Sequence, residues 1–252
     1  MSVYAIYFSP TNSTEKIVKI IAEEFGTYQK IDLSKKDDVL DQSFDKNDVC
    51  IIGVPSYGGR VPAIALERMK NFKGNNASAI LVVSYGNRAY EDTVKELSEC
   101  VSNKGFHCVA AITAISEHSI MHQFATGRPN ETDKKELIQF SRKILDKLKT
   151  EVPSDILELP GNYPYREYNG VPLKPKAGKG CTSCGLCAKL CPVGAIPSND
   201  PKKTDSKLCI SCMRCIKVCP NNSRKINSLL VKIASQKMKA ACANEKKNEL
   251  FL

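Results

Sequence analysis

Across the first 150 residues, short apolar runs alternate with longer stretches in which apolar side chains recur at helical spacing. The runs are residues 3–8 (VYAIYF), 48–55 (DVCIIGVP), 77–84 (ASAILVVS) and 106–115 (FHCVAAITAI), with a weaker one at 29–34 (QKIDLS). Each is too short for a helix and most lie between turn-forming residues, which predicts buried strands. Between them, residues 15–25 place Ile17, Ile20, Ile21 and Phe25 on one helical face. Residues 62–72 begin on Pro62, favoured in a first helical turn, and residues 91–105 end at Gly105, suited to closing a helix. Residues 131–149 form a long amphipathic helix. Near-continuous apolar runs mean strands covered on both faces. The expected fold is therefore α/β, a doubly wound five-stranded parallel sheet over residues 1–150. Cys50, Cys100 and Cys108 read as small core or helix-face residues.

The pattern then stops. Residues 151–180 hold five prolines and four glycines and no helical period, so residues 151–178 read as an extended surface linker. Tyr163, Tyr165 and Tyr168 are the side chains available to pack it against a domain. Residues 179–222 form a small cysteine-rich unit, and residues 223–252 a C-terminal amphipathic helix. In that helix Ile226, Leu229, Leu230 and Ile233 make a narrow apolar stripe, expected to dock on the protein's own body rather than on a membrane.

Eight of the twelve cysteines fall in two runs, CTSCGLCAKLCP at 181–192 and CISCMRCIKVCP at 209–220. Each is a C-x2-C-x2-C-x3-C-P pattern. Zinc usually takes separated pairs of ligands rather than four cysteines crowded together and then repeated. A disulfide framework would need an oxidising compartment. The stretch resembles the two-cluster bacterial ferredoxins, and both runs match without a departure. In that family the fourth cysteine of each run serves the other cluster. The resemblance thus implies two [4Fe–4S] clusters, one on Cys181, Cys184, Cys187 and Cys219, the other on Cys209, Cys212, Cys215 and Cys191. About forty residues cannot support themselves on an apolar core, so the clusters would hold the unit together.

Three loops follow the first, third and fourth strands of the N-terminal region, at the edge where doubly wound sheets bind ligands. The first, Ser9-Pro10-Thr11-Asn12-Ser13-Thr14, offers hydroxyls and helix-start N–H groups that suit a phosphate; the plainer reading is helix capping. The second, Pro55-Ser56-Tyr57-Gly58-Gly59-Arg60, lets backbone approach a flat ring that Tyr57 would cover. The third, Ser84-Tyr85-Gly86-Asn87-Arg88-Ala89-Tyr90, offers Tyr90, and after it Tyr85, for the other ring face. Over residues 1–150 these loops resemble flavodoxin, which implies FMN. The family has Gly where Asn12 stands and Asn where Ser13 stands; Asn accepts a positive φ better than most residues. His118, after the fifth strand, is a candidate flavin contact or proton relay, with His122 and Arg128 behind it.

The net charge of +10 lies almost wholly in the second part: residues 1–150 carry 20 Lys+Arg against 19 Asp+Glu, residues 151–252 carry 17 against 8. No nucleic-acid-binding signature accompanies it, so an acidic protein partner is the better reading. No segment has the length and apolarity of a membrane span, and the N-terminus lacks a signal-peptide pattern; a reducing cytoplasm is expected. The chain as a whole resembles the flavodoxin–ferredoxin fusions of anaerobic bacteria and archaea. That implies an electron carrier between clusters and FMN with no acid–base side chain, and a ferredoxin-type or acidic oxidoreductase as partner. Two other readings stand beside it. One is a flavin-dependent reductase of a small or quinone-like oxidant, though no G-x-G-x-x-G dinucleotide fingerprint is present. The other is a flavodoxin-shaped domain without cofactor that merely docks the ferredoxin unit.

Overall fold

The computed structural model describes residues 2–36, 40–150 and 157–252; the start of the expected linker, residues 151–156, lies outside the described residues. In chain order the N-terminal elements are β1 (Val3–Tyr7), α1 (Ser13–Glu23), β2 (Gln29–Asp32), β3 (Val49–Pro55), α2 (Ala63–Arg68), β4 (Ser78–Tyr85), α3 (Thr93–Ser102), β5 (His107–Ile115) and α4 (Glu131–Thr150). The five strands pair in parallel in the order β2-β1-β3-β4-β5, the flavodoxin-like arrangement whose strand order reverses between β1 and β3. Side chains alternate between the two faces, as pleating requires. Phe8, Ile52, Val54, Leu81 and Val83 enter one core with residues of α2 and α3. Ala5, Ile51, Ile80, Val82 and Ile112 enter the other with Ile17, Ile21, Leu137 and Ile144 of α1 and α4. Both faces are thus covered, which is why these strands read as unbroken apolar runs. At about 1.5–3 kcal/mol for each large side chain taken out of water, this sheet dominates the stability of the chain.

Gly53 in β3 has a packing reason. A methyl at that position would stand 2.3 Å from Val18 Cγ2 and 3.1 Å from Thr14 Cγ2, so the missing Cβ lets α1 lie directly on the sheet. Gly53→Ala is expected to cost about 1–3 kcal/mol by overpacking, read as a lowered urea midpoint. An unchanged midpoint would mean that α1 has slack to move.

The second part contains β6 (Lys176–Ala177), α5 (Leu186–Lys189), α6 (Arg214–Lys217), β7 (Arg224–Lys225), α7 (Ser228–Met238) and β8 (Glu249–Phe251). Here the structure corrects the expected helix over 223–252. The helix is only α7, and the chain beyond it returns to the N-terminal sheet, where β8 pairs antiparallel with β5. The docked face also differs. Ile226, Val231, Ala234 and Met238 pack on Met121, Phe124 and Leu173, while Leu229, Leu230 and Ile233 are exposed. The Asn227 side chain caps the helix by accepting from the N–H groups of Leu229 and Leu230, which fixes its start and turns Leu229 outward.

The extended chain after residue 157 is clipped to α3. Asp92 accepts from the N–H groups of Asn162 and Arg166, and Tyr165 donates to Glu99. Arg68, buried, donates to the carbonyls of Leu33 (2.7 Å) and Pro192 (2.8 Å), tying the sheet domain to the end of the first cysteine run. Among the described residues no helix is long and apolar enough to cross a membrane.

Candidate functional site

The two cysteine runs repeat one backbone conformation. Ser183 and Gly185 have φ of 57° and 77°, and their counterparts Ser211 and Met213 have φ of 56° and 64°. A left-handed residue is costly for Ser and Met, yet it recurs at the same two places. Backbones with such left-handed residues curl successive N–H groups into concavities that bind anions. Short helices then carry Cys187 and Cys215, and Cys191 and Cys219 follow their ends. A cubane with thiolate ligands is an anion, so this donor set and this backbone fit it.

The pairing of β6 with β7 brings the far end of the second run beside the start of the first. Gly178 N–H donates to Ser223 O at 2.7 Å, and Asn221 Nδ2 donates to Thr182 Oγ1 at 2.9 Å. Cys219 therefore returns toward Cys181. In the other direction, Cys191 lies close enough to Cys212 and Cys215 to act electrostatically on both, as does Cys209, and Cys187 acts on Cys215 too. Burial pushes the thiols of Cys212 and Cys215 up to about 12, so as thiolates they need a positive partner such as iron. Cys219 goes the other way. Its burial penalty is outweighed by the N–H groups of Ser223, Arg224 and Asn221 and by the charge of Arg224, which lowers its pKa.

The expected flavin loops converge on one cavity. It is lined by Ser9, Thr11, Ser13 and Thr14 from the first loop, Pro55, Ser56, Tyr57 and Gly58 from the second, and Ser84, Tyr85, Gly86 and Arg88 from the third. Asn12, Gly59, Asn87 and Tyr90 do not line it. Asn12 stands at φ 71° and shapes the turn before α1 with backbone alone. Gly59 turns the second loop, its carbonyl accepting from Asp92 N–H. Asn87 is buried, holding the carbonyls of Cys242 and Asn244 and the N–H of Lys246. Tyr90 donates to Glu249 Oε2 at 2.7 Å and packs edge-on to Tyr85, so its ring belongs to the C-terminal strand contact.

Within the first loop the hydroxyls divide. Ser9 Oγ accepts from Glu15 N–H and Thr14 Oγ1 meets Ser84 Oγ at 2.7 Å, whereas Thr11 and Ser13 face only each other at 3.5 Å. Those two, with the N–H groups that open α1, are the donors suited to a phosphate. Tyr57 packs edge-on to Phe8, and burial above all, with Cys212 nearby, raises its hydroxyl pKa well above the usual range.

The remaining walls were not legible in any local pattern. Tyr168 of the extended segment lies with its ring directly over Gly58. Ile210 and Ser211, between Cys209 and Cys212, and Met238 of α7 also line the cavity. His118, a candidate from the sequence, does line it, packed against Gly86. Its Nδ1 accepts from Ile120 and Met121 N–H groups, both at 3.1 Å, which leaves hydrogen on Nε2 in the neutral ring. Burial first, then the charge of His122, pulls its pKa down to about 4. His122 itself is exposed and bound to Glu117, and Arg128 pairs with Asp133 and Glu245.

The chain has two parts: an open sheet in flavodoxin order and, after it, a repeated four-cysteine nest. Residues 173–226 match the family described as the 4Fe-4S dicluster domain. The chain thus joins a sheet in flavodoxin-like order to a stretch similar to 4Fe-4S dicluster domains. Solved structures similar to its N-terminal part include the rubredoxin oxygen:oxidoreductase of Desulfovibrio gigas, at 19% identity and TM-score 0.43. That match covers 59% of this chain and 36% of the oxidoreductase, so the chain spans about a third of that protein. A flavodoxin from the domain Archaea has 13% identity and TM-score 0.42, covering 59% of this chain and 99% of its own. Flavodoxin 1 from Bacillus cereus has 18% identity and TM-score 0.41, covering 58% and 98%. Comparison with curated proteins found no match.

Proposed function

We propose that this protein carries electrons between iron–sulfur clusters and an FMN held in the cavity described above. The observation that carries this reading is the position of Ile210 and Ser211, which sit between two cluster cysteines and line the same cavity as the Ser9–Thr14 loop. The cluster on Cys209, Cys212, Cys215 and Cys191 would then be the one next to the flavin. FMN supplies a carrier of one or two electrons and each cluster a carrier of one. Thr11, Ser13 and the first N–H groups of α1 would hold the FMN phosphate. Tyr57 and Tyr168, which line the cavity, would pack against the ring and keep water away, with Ile210 and Ser211 of the cluster domain as a further wall. That wall favours a carrier over a reductase, which needs an open place for a second substrate. No side chain is required to move a proton.

The surface around the clusters suits an acidic protein. Residues 173–226 hold eleven Lys and Arg against only Asp200 and Asp205. Cys184 is the one exposed cysteine of the eight, which makes the first-run cluster the natural entry point. The test is anaerobic photoreduction of cluster-loaded, flavin-loaded protein. Flavin and cluster absorbance should bleach with linked kinetics, and heating should release FMN. Independent bleaching, or colourless supernatant after heating, would overturn the proposal.

A further inference from the structure

Arg224 is the largest fully buried side chain among the described residues, and it has no acidic partner among them. Its guanidinium donates to the carbonyls of Pro175, Pro201 and Lys203 and to Thr204 Oγ1 at 2.7 Å, while its Nε has no acceptor. Neutral acceptors satisfy hydrogen bonds but do not cancel a charge. A buried guanidinium without an anion is strongly unfavourable. The two acids of this region are elsewhere: Asp200 pairs with Lys203, and Asp205 accepts from the N–H groups of Lys207 and Leu208.

Cysteine sulfurs of both expected quartets lie close by, linked to it through a shared carbonyl or a neighbouring residue, or feel its charge. The Pro201 carbonyl that accepts from Arg224 lies 3.9 Å from Cys187 Sγ. The neighbouring Ser223 N–H donates to Cys219 Sγ at 3.3 Å. The charge of Arg224 also acts on Cys215, in the second quartet, and on Cys219, in the first. We propose that Arg224 is the internal counter-ion of both clusters, and that its fixed positive charge favours their more negative, reduced forms and so raises their midpoint potentials. This rests on the reading that the eight cysteines hold two [4Fe–4S] clusters.

Anaerobically purified wild type, Arg224→Gln and Arg224→Lys, each with iron and sulfide counted, would be titrated redox-wise with EPR detection of the reduced clusters. Arg224→Gln is expected to shift one or both midpoint potentials negative, or to lose clusters outright. Arg224→Lys is expected to keep both clusters and recover most of the native potential. Full loading of the Gln variant at unchanged potentials would overturn the proposal. So would a Lys variant as shifted, or as empty, as the Gln variant, since shape rather than charge would then be the requirement. Wild-type protein without iron would instead sink the cluster reading itself.

Discussion

Serine at position 191 is expected to strip the cluster held by the other cysteine run, leaving roughly half of the native iron and sulfide. Cys191 belongs by sequence to the first run, yet in the fold it is near enough to Cys212 and Cys215 to act electrostatically on both. Cys191→Ser should therefore abolish the linked bleaching of flavin and cluster, because the lost cluster is the one beside Ser211. Cys219→Ser should remove a similar amount of iron and leave that linkage intact. The opposite assignment of effects would mean that each run holds its own fourth ligand. The effect on stability should be large as well. The apolar core of this unit is Cys187, Ala188, Cys191, Ala195 and Ile196, so two of its five buried members are themselves ligands. Little remains to hold the fold once the metal is gone.

Lowering the pH from 7 to 5 is expected to cost about 2 kcal/mol of stability through His118 alone. In the folded protein its pKa is about 4, chiefly because of burial, against 6.5 for the free side chain. The pKa is depressed, so the stabilisation is complete above 6.5 and is lost progressively as the pH falls toward 4. Below 6.5 an unfolded chain binds a proton that the folded chain refuses. Protonating Nδ1 would also break the bonds from Ile120 and Met121 N–H. Carboxylates with lowered pKa, Glu91, Asp92, Glu117 and Asp133, act in the same direction but only below about 4.5, so the interval from 6.5 to 5 isolates the histidine. Urea unfolding of His118→Gln should show a flatter slope across that interval. A slope equal to that of the wild type would refute the assignment.

What could be read in the chain was whatever is encoded locally. The five strands declare themselves because both faces are buried, and the cluster unit because ligand spacing is a property of contiguous residues. The Ser9–Thr14 loop stood out by its hydroxyls, though only Thr11 and Ser13 are left uncommitted in the fold. Tyr90 was misdirected by a residue 159 positions away, Glu249, which takes its hydroxyl. Tyr168 and Ser211 carry no local mark of the cavity they line, because only the packing of the two domains brings them there. The strand Glu249–Phe251 is three residues long, too short to give an alternating pattern. The α7 face was misjudged because Val231, Ala234 and Met238 make a second apolar face at helical spacing, and that is the one that packs.

The return of the chain end to β5 changes what kind of fusion this is. The cluster unit leaves the sheet domain after α4 and comes back to it at β8, so it is an insertion anchored at two places, not a pendant on one flexible leash. Double attachment keeps the local concentration of each part around the other high without demanding a strong interface. It also covers a sheet edge that would otherwise be free to pair with another molecule. Gene truncation just before β8 would therefore expose a sticky margin and loosen the spacing between redox centres in one stroke.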